Sequence, residues 1–228
     1  SKIIIRDFGE LENLQVKKKG PKDFVTKTDK RVEKILIEEL SKSKKNYSFI
    51  TEETGIINNS DKDTFWIIDP IDGTTNFLHG IPHFAISIAL KFNNEIKSGV
   101  IFDPIKNEIF YAEKENGSFF NNQRIRVSNK NDLDECLFAT NHLGAKISDL
   151  NLRYTGCASL DLAYVGAGRL DGFFQNEINI WDVAAGAIII EEAGGKVNDL
   201  NAFKINNVDI RAASSSIYEK MLKKLNNF

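Results

Sequence analysis

The sequence predicts a mixed α/β fold arranged in two lobes, and three observations predict it. The middle of the chain is β-rich, with apolar and aromatic runs from His83 to Val127 broken at short intervals by Asn, Asp, Gly or Pro, as in an antiparallel meander. After Cys136 the pattern changes to alternating strand-like and helix-like stretches, CLFAT, SLDLAYVGAG, DGFFQ and WDVAAGAIIIEEAG, which reads as α/β. Finally, 228 residues with 42% hydrophobic side chains bury enough core for one large domain, and no repeat, low-complexity tract or Pro-rich linker divides them. The expectation is a single domain over 1–228, with an α+β lobe to about residue 135 and an α/β lobe beyond it.

Taken in order, Lys2 to Leu14 reads as the end of a helix whose beginning is absent, in a chain that does not start with Met. From Thr28 to Leu40, Val32, Ile35, Leu36 and Leu40 recur at helical spacing, and Thr28 or Asp29 can cap the first turn. Tyr47 to Ile50 and Phe65 to Ile68 are short buried strands that each run into carboxylates. Next come strands at His83 to Phe92, Ile96 to Phe102, Glu108 to Glu113 and Gln123 to Val127. In the second lobe the helix WDVAAGAIIIEEAG is closed by Gly194 and Gly195, IRAASS is a last strand, and IYEKMLKKL is a terminal helix.

The totals exclude several classes. With 30 basic and 32 acidic side chains spread along the chain and a formal charge of −2, a nucleic-acid or anionic-membrane surface is not the main feature. Cys136 and Cys157 have no paired spacing, which supports neither a disulfide framework nor a Cys-based zinc site and fits the cytoplasm. No apolar run reaches the ~18 residues of a membrane span, and the start has no signal-peptide pattern.

The densest chemical signal is WIIDPIDGTTNF, residues 66–77. Asp69 and Asp72, with Pro70 fixing the turn, can converge on a hard cation, and the Ile71 carbonyl is a further donor. Past them, the N–H groups of Gly73, Thr74 and Thr75 can cradle a phosphate. A surface Asx-Gly turn explains the same residues equally well. Glu52 and Glu53 end the strand YSFIT, where one could bridge to the same metal or both could be solvated. Asp182 opens WDVAAG, as an ordinary N-cap or as a ligand completing a second metal site.

DPIDGTTNF together with WDVAAGAIIIEEAGG resembles the paired signature of the inositol monophosphatase family. KGPKDFVTKTDKRVE, FITEE, FLHGIPHFAISIAL, GSFFNNQRIRVS and TGCASLDLAYVGAGRLDGFF resemble family segments in the same order, most closely those of bacterial members. The resemblance covers nearly the whole chain. It implies a layered αβαβα sandwich of the inositol monophosphatase and fructose-1,6-bisphosphatase type, a homodimer, and a Mg²⁺-dependent, Li⁺-sensitive phosphatase with two or three Mg²⁺ ions. Glu52, Asp69, the Ile71 carbonyl, Asp72 and Asp182 match the family's Mg²⁺ ligands. Thr74, Glu52 and Asp29 match the group that positions and deprotonates the attacking water, and Gly73, Thr74 and Thr75 match the phosphate cradle beside Asp72 and Asp182. Arg153, Gly156, Cys157, Ala158 and Gln175 fall where the family contacts the rest of the substrate. The implied mechanism is direct in-line attack by a metal-activated water without a phosphoenzyme.

The chain departs from the family at Gln175, where glutamate is more often found, in a short segment between Thr140 and Arg153, and at Thr51, where glycine is common. The neutral amide at Gln175 weakens the case for myo-inositol phosphate specifically, while the short Glu52 to Asp69 connection and DGTTNF resemble the monophosphatase branch, so inositol-1-phosphate is the leading expectation, with fructose-1,6-bisphosphate, NADP and 3′-phosphoadenosine-5′-phosphate open beside it. His79 and His83 read as structural, Cys157 as lining and not a nucleophile, and KKKGPK, residues 17–22, as a solvated loop. Haloacid-dehalogenase phosphatases place their acids two apart, whereas Asp69 and Asp72 are three apart. Some bacterial relatives are associated with transcription and RNA processing, but no basic stripe with interleaved aromatics predicts direct nucleic-acid binding here.

Overall fold

The structure is a computed structural model that describes residues 2–11, 21–141, 150–198, 200 and 205–225. The loop reading of KKKGPK (apart from its last two residues) and the chain around Gly144 to Ser148 lie outside the described residues.

Helix α1 (Lys2–Gly9) is followed by α2 (Pro21–Ser43). The latter begins well before Thr28, so Thr28 and Asp29 are interior residues and not caps. Proline is tolerated in a first helical turn, and the helix extends N-terminally past the two good capping residues. Thr28 instead donates to Asp7 Oδ2 at 3.1 Å, and Asp29 is buried. Of the expected apolar face, Val32 is buried, while Ile35 is 37% exposed.

An eight-stranded sheet comes next, built from β1 (Ser48–Thr51), β2 (Gly55–Ile57), β3 (Thr64–Asp72), β4 (Ala85–Phe92), β5 (Glu95–Asp103), β6 (Glu108–Glu113), β7 (Gly117–Phe120) and β8 (Gln123–Arg124). Its order is β2-β1-β3-β4-β5-β6-β7-β8, an antiparallel meander from β3 onward, with β1 parallel to β3. Short helix α3 (Thr74–Leu78) interrupts the path from β3 to β4.

The second sheet holds β9 (Leu137–Ala139), β10 (Asn151–Arg153), β11 (Gly172–Ile178), β12 (Gly195–Val197) and β13 (Val208–Ser214) in the order β10-β9-β11-β13-β12. Its helices are α4 (Ala158–Gly166), α5 (Ile180–Glu192) and α6 (Tyr218–Leu225). Gly194, at φ 87°, stops α5 in the left-handed conformation that favours glycine, as the sequence predicts.

Three apolar clusters define the layers. Ile4, Val32, Phe77, Phe84 and Ile86 pack α1, α2 and α3 on one face of the large sheet. Ile67, Ala89, Ile101 and Phe110 on its other face meet Leu162, Ala185, Ile188 and Ile189 of α4 and α5, which in turn meet Phe173, Ile210 and Ala212 of the second sheet. Phe138, Phe174, Ala213, Ile217 and Met221 join that sheet to α6. The layering is therefore αβαβα, with α4 and α5 in the middle. Gly99 shows how close the middle layer lies: a Cβ there would stand 2.8 Å from Ala185 Cα, so α5 runs directly over β5.

Candidate active site

The site grows from the ends of β1 and β3. Their parallel register pairs Thr51 with Ile68, so Glu52 and Asp69 leave adjacent strands side by side, and the Glu52 amide donates to the Ile68 carbonyl at 3.3 Å. Beyond Asp69 the pairing with β4 shifts: Asp69 is opposite Ser87 and Asp72 opposite Ala85. That irregularity turns the backbone, and Asp69 Oδ1 accepts from the Ile71 amide at 2.8 Å across Pro70. Thr74 Oγ1 then donates to the Ile71 carbonyl at 3.0 Å. Gly73 makes the turn into α3 at φ 90°, and a Cβ there would meet the His83 carbonyl at 3.0 Å and Cys157 Cβ at 3.2 Å. Conformation and space both demand glycine.

Asp182 arrives from the other sheet's helix. It is the third residue of α5 and not its N-cap, which is Asn179; the Asn179 amide donates back to Asp182 Oδ2 at 3.3 Å. Ser87 Oγ donates to the Trp181 carbonyl at 3.0 Å and so fixes the start of α5 beside the strand position opposite Asp69. Carboxylate oxygens of Asp69, Asp72 and Asp182 consequently lie within 4.8 Å of one another. Burial, followed by the charge of Glu52 and its neighbours, pushes Asp69 well above the usual carboxylate range. Burial and then the charge of Asp72 do the same to Asp182, and burial raises Asp72 against the opposing hydrogen bonds from Ser159. Glu52, within hydrogen-bonding reach of Asp69, is pushed up to about 7, chiefly by desolvation of its carboxyl group, although the residue as a whole stays exposed to solvent.

Asp29 of α2 closes the cluster. It is 3% exposed, burial and the nearby Glu53 and Glu52 push it up to about 8, and its Oδ1 has no hydrogen-bond partner. A residue the sequence reading passed over stands one turn further on: Glu33, 1% exposed, accepts from the Glu53 amide at 3.0 Å and from Thr54 Oγ1 at 2.5 Å. It thereby pins the turn that carries Glu52. Its spacing of four from Asp29 puts both acids on one helix face, a signal obscured by the apolar pattern around it.

Of the expected substrate contacts, the structure brings Cys157 to Asp72 and Gly73, and Gly156 to Asn76. Gly156 is exposed, and its amide donates to Asn141 Oδ1 at 3.0 Å. Cys157 is 0% exposed and presents its thiol to Asp72 Oδ2 at 3.2 Å. Asn76, which the sequence reading left unassigned, donates from Nδ2 to the carbonyls of His83 and Thr155, both at 2.8 Å. Arg153 lies exposed on β10 and donates to the Leu152 carbonyl, and Gln175 ends the regular part of β11 with a buried Oε1. Among the described residues neither forms a hydrogen bond with the acids. His79 Nδ1 stands 2.8 Å from the Thr75 carbonyl and the His83 ring packs 6.1 Å from Tyr164, in keeping with structural roles.

A donor set of carboxylates and one carbonyl, with no His or Cys ligand, suits a hard divalent cation. Residues 1–227 match the model of the inositol monophosphatase family. The chain belongs to the inositol monophosphatase family. It is 42% identical to an inositol-1-monophosphatase of Mesorhizobium japonicum, with 96% of this chain and 88% of that one covered. It is also 39% identical to the Nus factor SuhB of Haemophilus influenzae, over 98% of this chain and 90% of that one. Among solved structures, the extragenic suppressor protein suhB from Bartonella henselae superposes with a TM-score of 0.88 at 42% identity, covering 98% of this chain and 93% of that one. The family's sandwich is the fold found here, and no described helix is long and apolar enough to cross a membrane.

Proposed function

We propose that the chain is a Mg²⁺-dependent phosphomonoester hydrolase whose leading substrate is inositol-1-phosphate. The convergence of Asp69, Asp72 and Asp182 carries this reading. Three carboxylates so close together, one buried and two half-buried, are costly unless protonated or neutralised, and a divalent ion neutralises them. Asp69, Asp72, Asp182, Glu52 and the Ile71 carbonyl would hold two or three Mg²⁺ ions. When bound, such ions neutralise phosphoryl oxygens and acidify water.

The remaining work falls to the chain itself. The amides of Gly73, Thr74 and Thr75, at a helix start where N–H groups lack intrahelical acceptors, orient the phosphate. Thr74, its hydroxyl hydrogen directed to Ile71, offers lone pairs that align a water for in-line attack. Glu52 and Asp29 take up the proton that this water releases. Gly156, Cys157 and Ala158 border the substrate's alcohol portion, with Arg153 and Gln175 further out. The neutral amide of Gln175 favours a broader alcohol preference than a glutamate would.

The test is hydrolysis of inositol-1-phosphate, glycerol-2-phosphate, fructose-1,6-bisphosphate, NADP and 3′-phosphoadenosine-5′-phosphate, each with Mg²⁺ and with EDTA. Mg²⁺-dependent release led by inositol-1-phosphate supports the reading, and equal rates in EDTA oppose it. We assign the protein to the cytoplasm as a homodimer, which light scattering checks. The 39% identity to a Nus factor favours a second reading, a binding role in transcription or RNA processing alongside catalysis. Recovery of RNA polymerase in a pull-down would support it.

A further inference from the structure

We infer that Cys157 and Ser159 are positioning residues that hold Asp72 as a one-oxygen cation ligand, and so favour Mg²⁺ over larger ions. Asp72 sits at the irregular end of β3, yet its Oδ2 accepts from the Ser159 amide at 2.6 Å, across 87 residues of sequence. The same oxygen accepts from Cys157 Sγ at 3.2 Å, and the Ser159 hydroxyl stands 3.6 Å from that sulfur, where it orients the thiol. Ser159 is the second residue of α4, whose own N-cap residue, Cys157, makes no side-chain capping bond. Asp72 therefore caps α4 from the other sheet, in a charge-assisted bond of the strong kind.

Both donor side chains are 0% exposed, so water does not compete for these bonds. The arrangement commits one oxygen of Asp72 to α4 and leaves the other for the acidic cluster. A carboxylate oxygen that already accepts two such bonds has less lone-pair density to offer a cation, so ligation through the other oxygen alone is favoured. Mg²⁺ demands near-octahedral, one-oxygen ligation, whereas Ca²⁺ accepts six to eight oxygens and bidentate carboxylates. Ligand-orienting groups of this sort typically change metal affinity by about 10–100-fold when removed.

The inference rests on the reading of Asp72 as a cation ligand, and the experiment separates the two. Mg²⁺ and Ca²⁺ affinities are measured by titration calorimetry on the whole chain for the wild type, Ser159→Ala, Cys157→Ala, their combination, and Cys157→Ser, which keeps a donor. The double variant keeps the Ser159 amide bond to Asp72 and removes the side-chain donors, and we expect it to lose about tenfold in Mg²⁺ affinity and less in Ca²⁺ affinity, so that selectivity falls, with Cys157→Ser closer to the wild type than Cys157→Ala. Should the double variant not fold, the two single variants carry the same comparison. Equal losses for both ions, or unchanged Mg²⁺ affinity, would overturn the inference alone. Failure of the wild type to bind Mg²⁺ would overturn the cation reading and the inference with it.

Discussion

Asn76 donates to the Thr155 carbonyl at 2.8 Å, so the helix that follows the DGTT turn is tied to the loop that carries Gly156 and Cys157. The same amide holds the His83 carbonyl, and Gly156 packs close enough that a Cβ there would meet Asn76 Nδ2 at 3.2 Å. Replacing Asn76 by alanine leaves two carbonyls without their donor. Asn76→Ala is expected to cost about 1–3 kcal/mol, read as a lower urea midpoint at unchanged slope.

Asp182→Asn separates function from stability. The amide oxygen can still accept from Asn179, so the start of α5 survives, while a charge leaves a crowded cluster. Hydrolysis should fall by at least ~10²-fold in Mg²⁺, and in EDTA at about pH 8 the variant should melt above the wild type. Asp72→Asn should lose activity too, and unlike Asp182→Asn it should also lose stability, because Asp72 caps α4. Near-wild-type turnover in either variant would sink the ligand assignment.

The pH dependence of the metal-free protein has a definite sign. Asp29 stands near 8 and Glu52 near 7 in the folded chain, against ordinary values of 3.8 and 4.5. Between about pH 4 and 8 the folded state therefore holds protons that the unfolded state has released. Their stabilising contribution is full at the acid end of that window and is lost as pH rises through 7 to 8. Melting temperatures in EDTA should fall from about pH 6 to about pH 8.5, and saturating Mg²⁺ should remove most of that slope. A flat EDTA profile would count against the buried acids.

Glu33 makes a separate prediction. Glu33→Ala frees the Glu53 amide and the Thr54 hydroxyl, so the turn carrying Glu52 loosens. The Mg²⁺ concentration for half-maximal activity should rise by about tenfold. A change in kcat with no change in Mg²⁺ requirement would contradict this role.

Much of this was legible in the sequence, and the failures share a cause. Strands ending in carboxylates, the central meander and the glycine stop of α5 are local patterns, and each stands where its pattern puts it. Strands β2, β7, β10 and β12 were missed because Gly55–Ile57, Gly117–Phe120, Asn151–Arg153 and Gly195–Val197 are only three or four residues long and carry glycine or polar side chains, and the strand expected from Gln123 to Val127 is regular only over Gln123–Arg124. Their pairing comes from the neighbouring strands. Thr28 and Asp29 were misread as caps because capping propensity is a weak preference that tertiary burial overrides. The acids could be listed from the sequence but were each explicable as a turn, a strand end or a cap. Only the resemblance joined them there, and in space the parallel β1–β3 register and the Ser87–Trp181 bond join Glu52, Asp69 and Asp182. Glu33, Asn76 and Ser159 went unnoticed because their partners lie 20, 79 and 87 positions away.

Acids carried by the strand ends of the large sheet and by helix α5 form one cation-dependent phosphate site. A crystal grown with Mn²⁺ and inorganic phosphate tests it most directly. Anomalous density is expected among Asp69, Asp72, Asp182 and Glu52, with phosphate lying over the amides of Gly73, Thr74 and Thr75. Strong Mn²⁺ density elsewhere, with none among these acids, would contradict it.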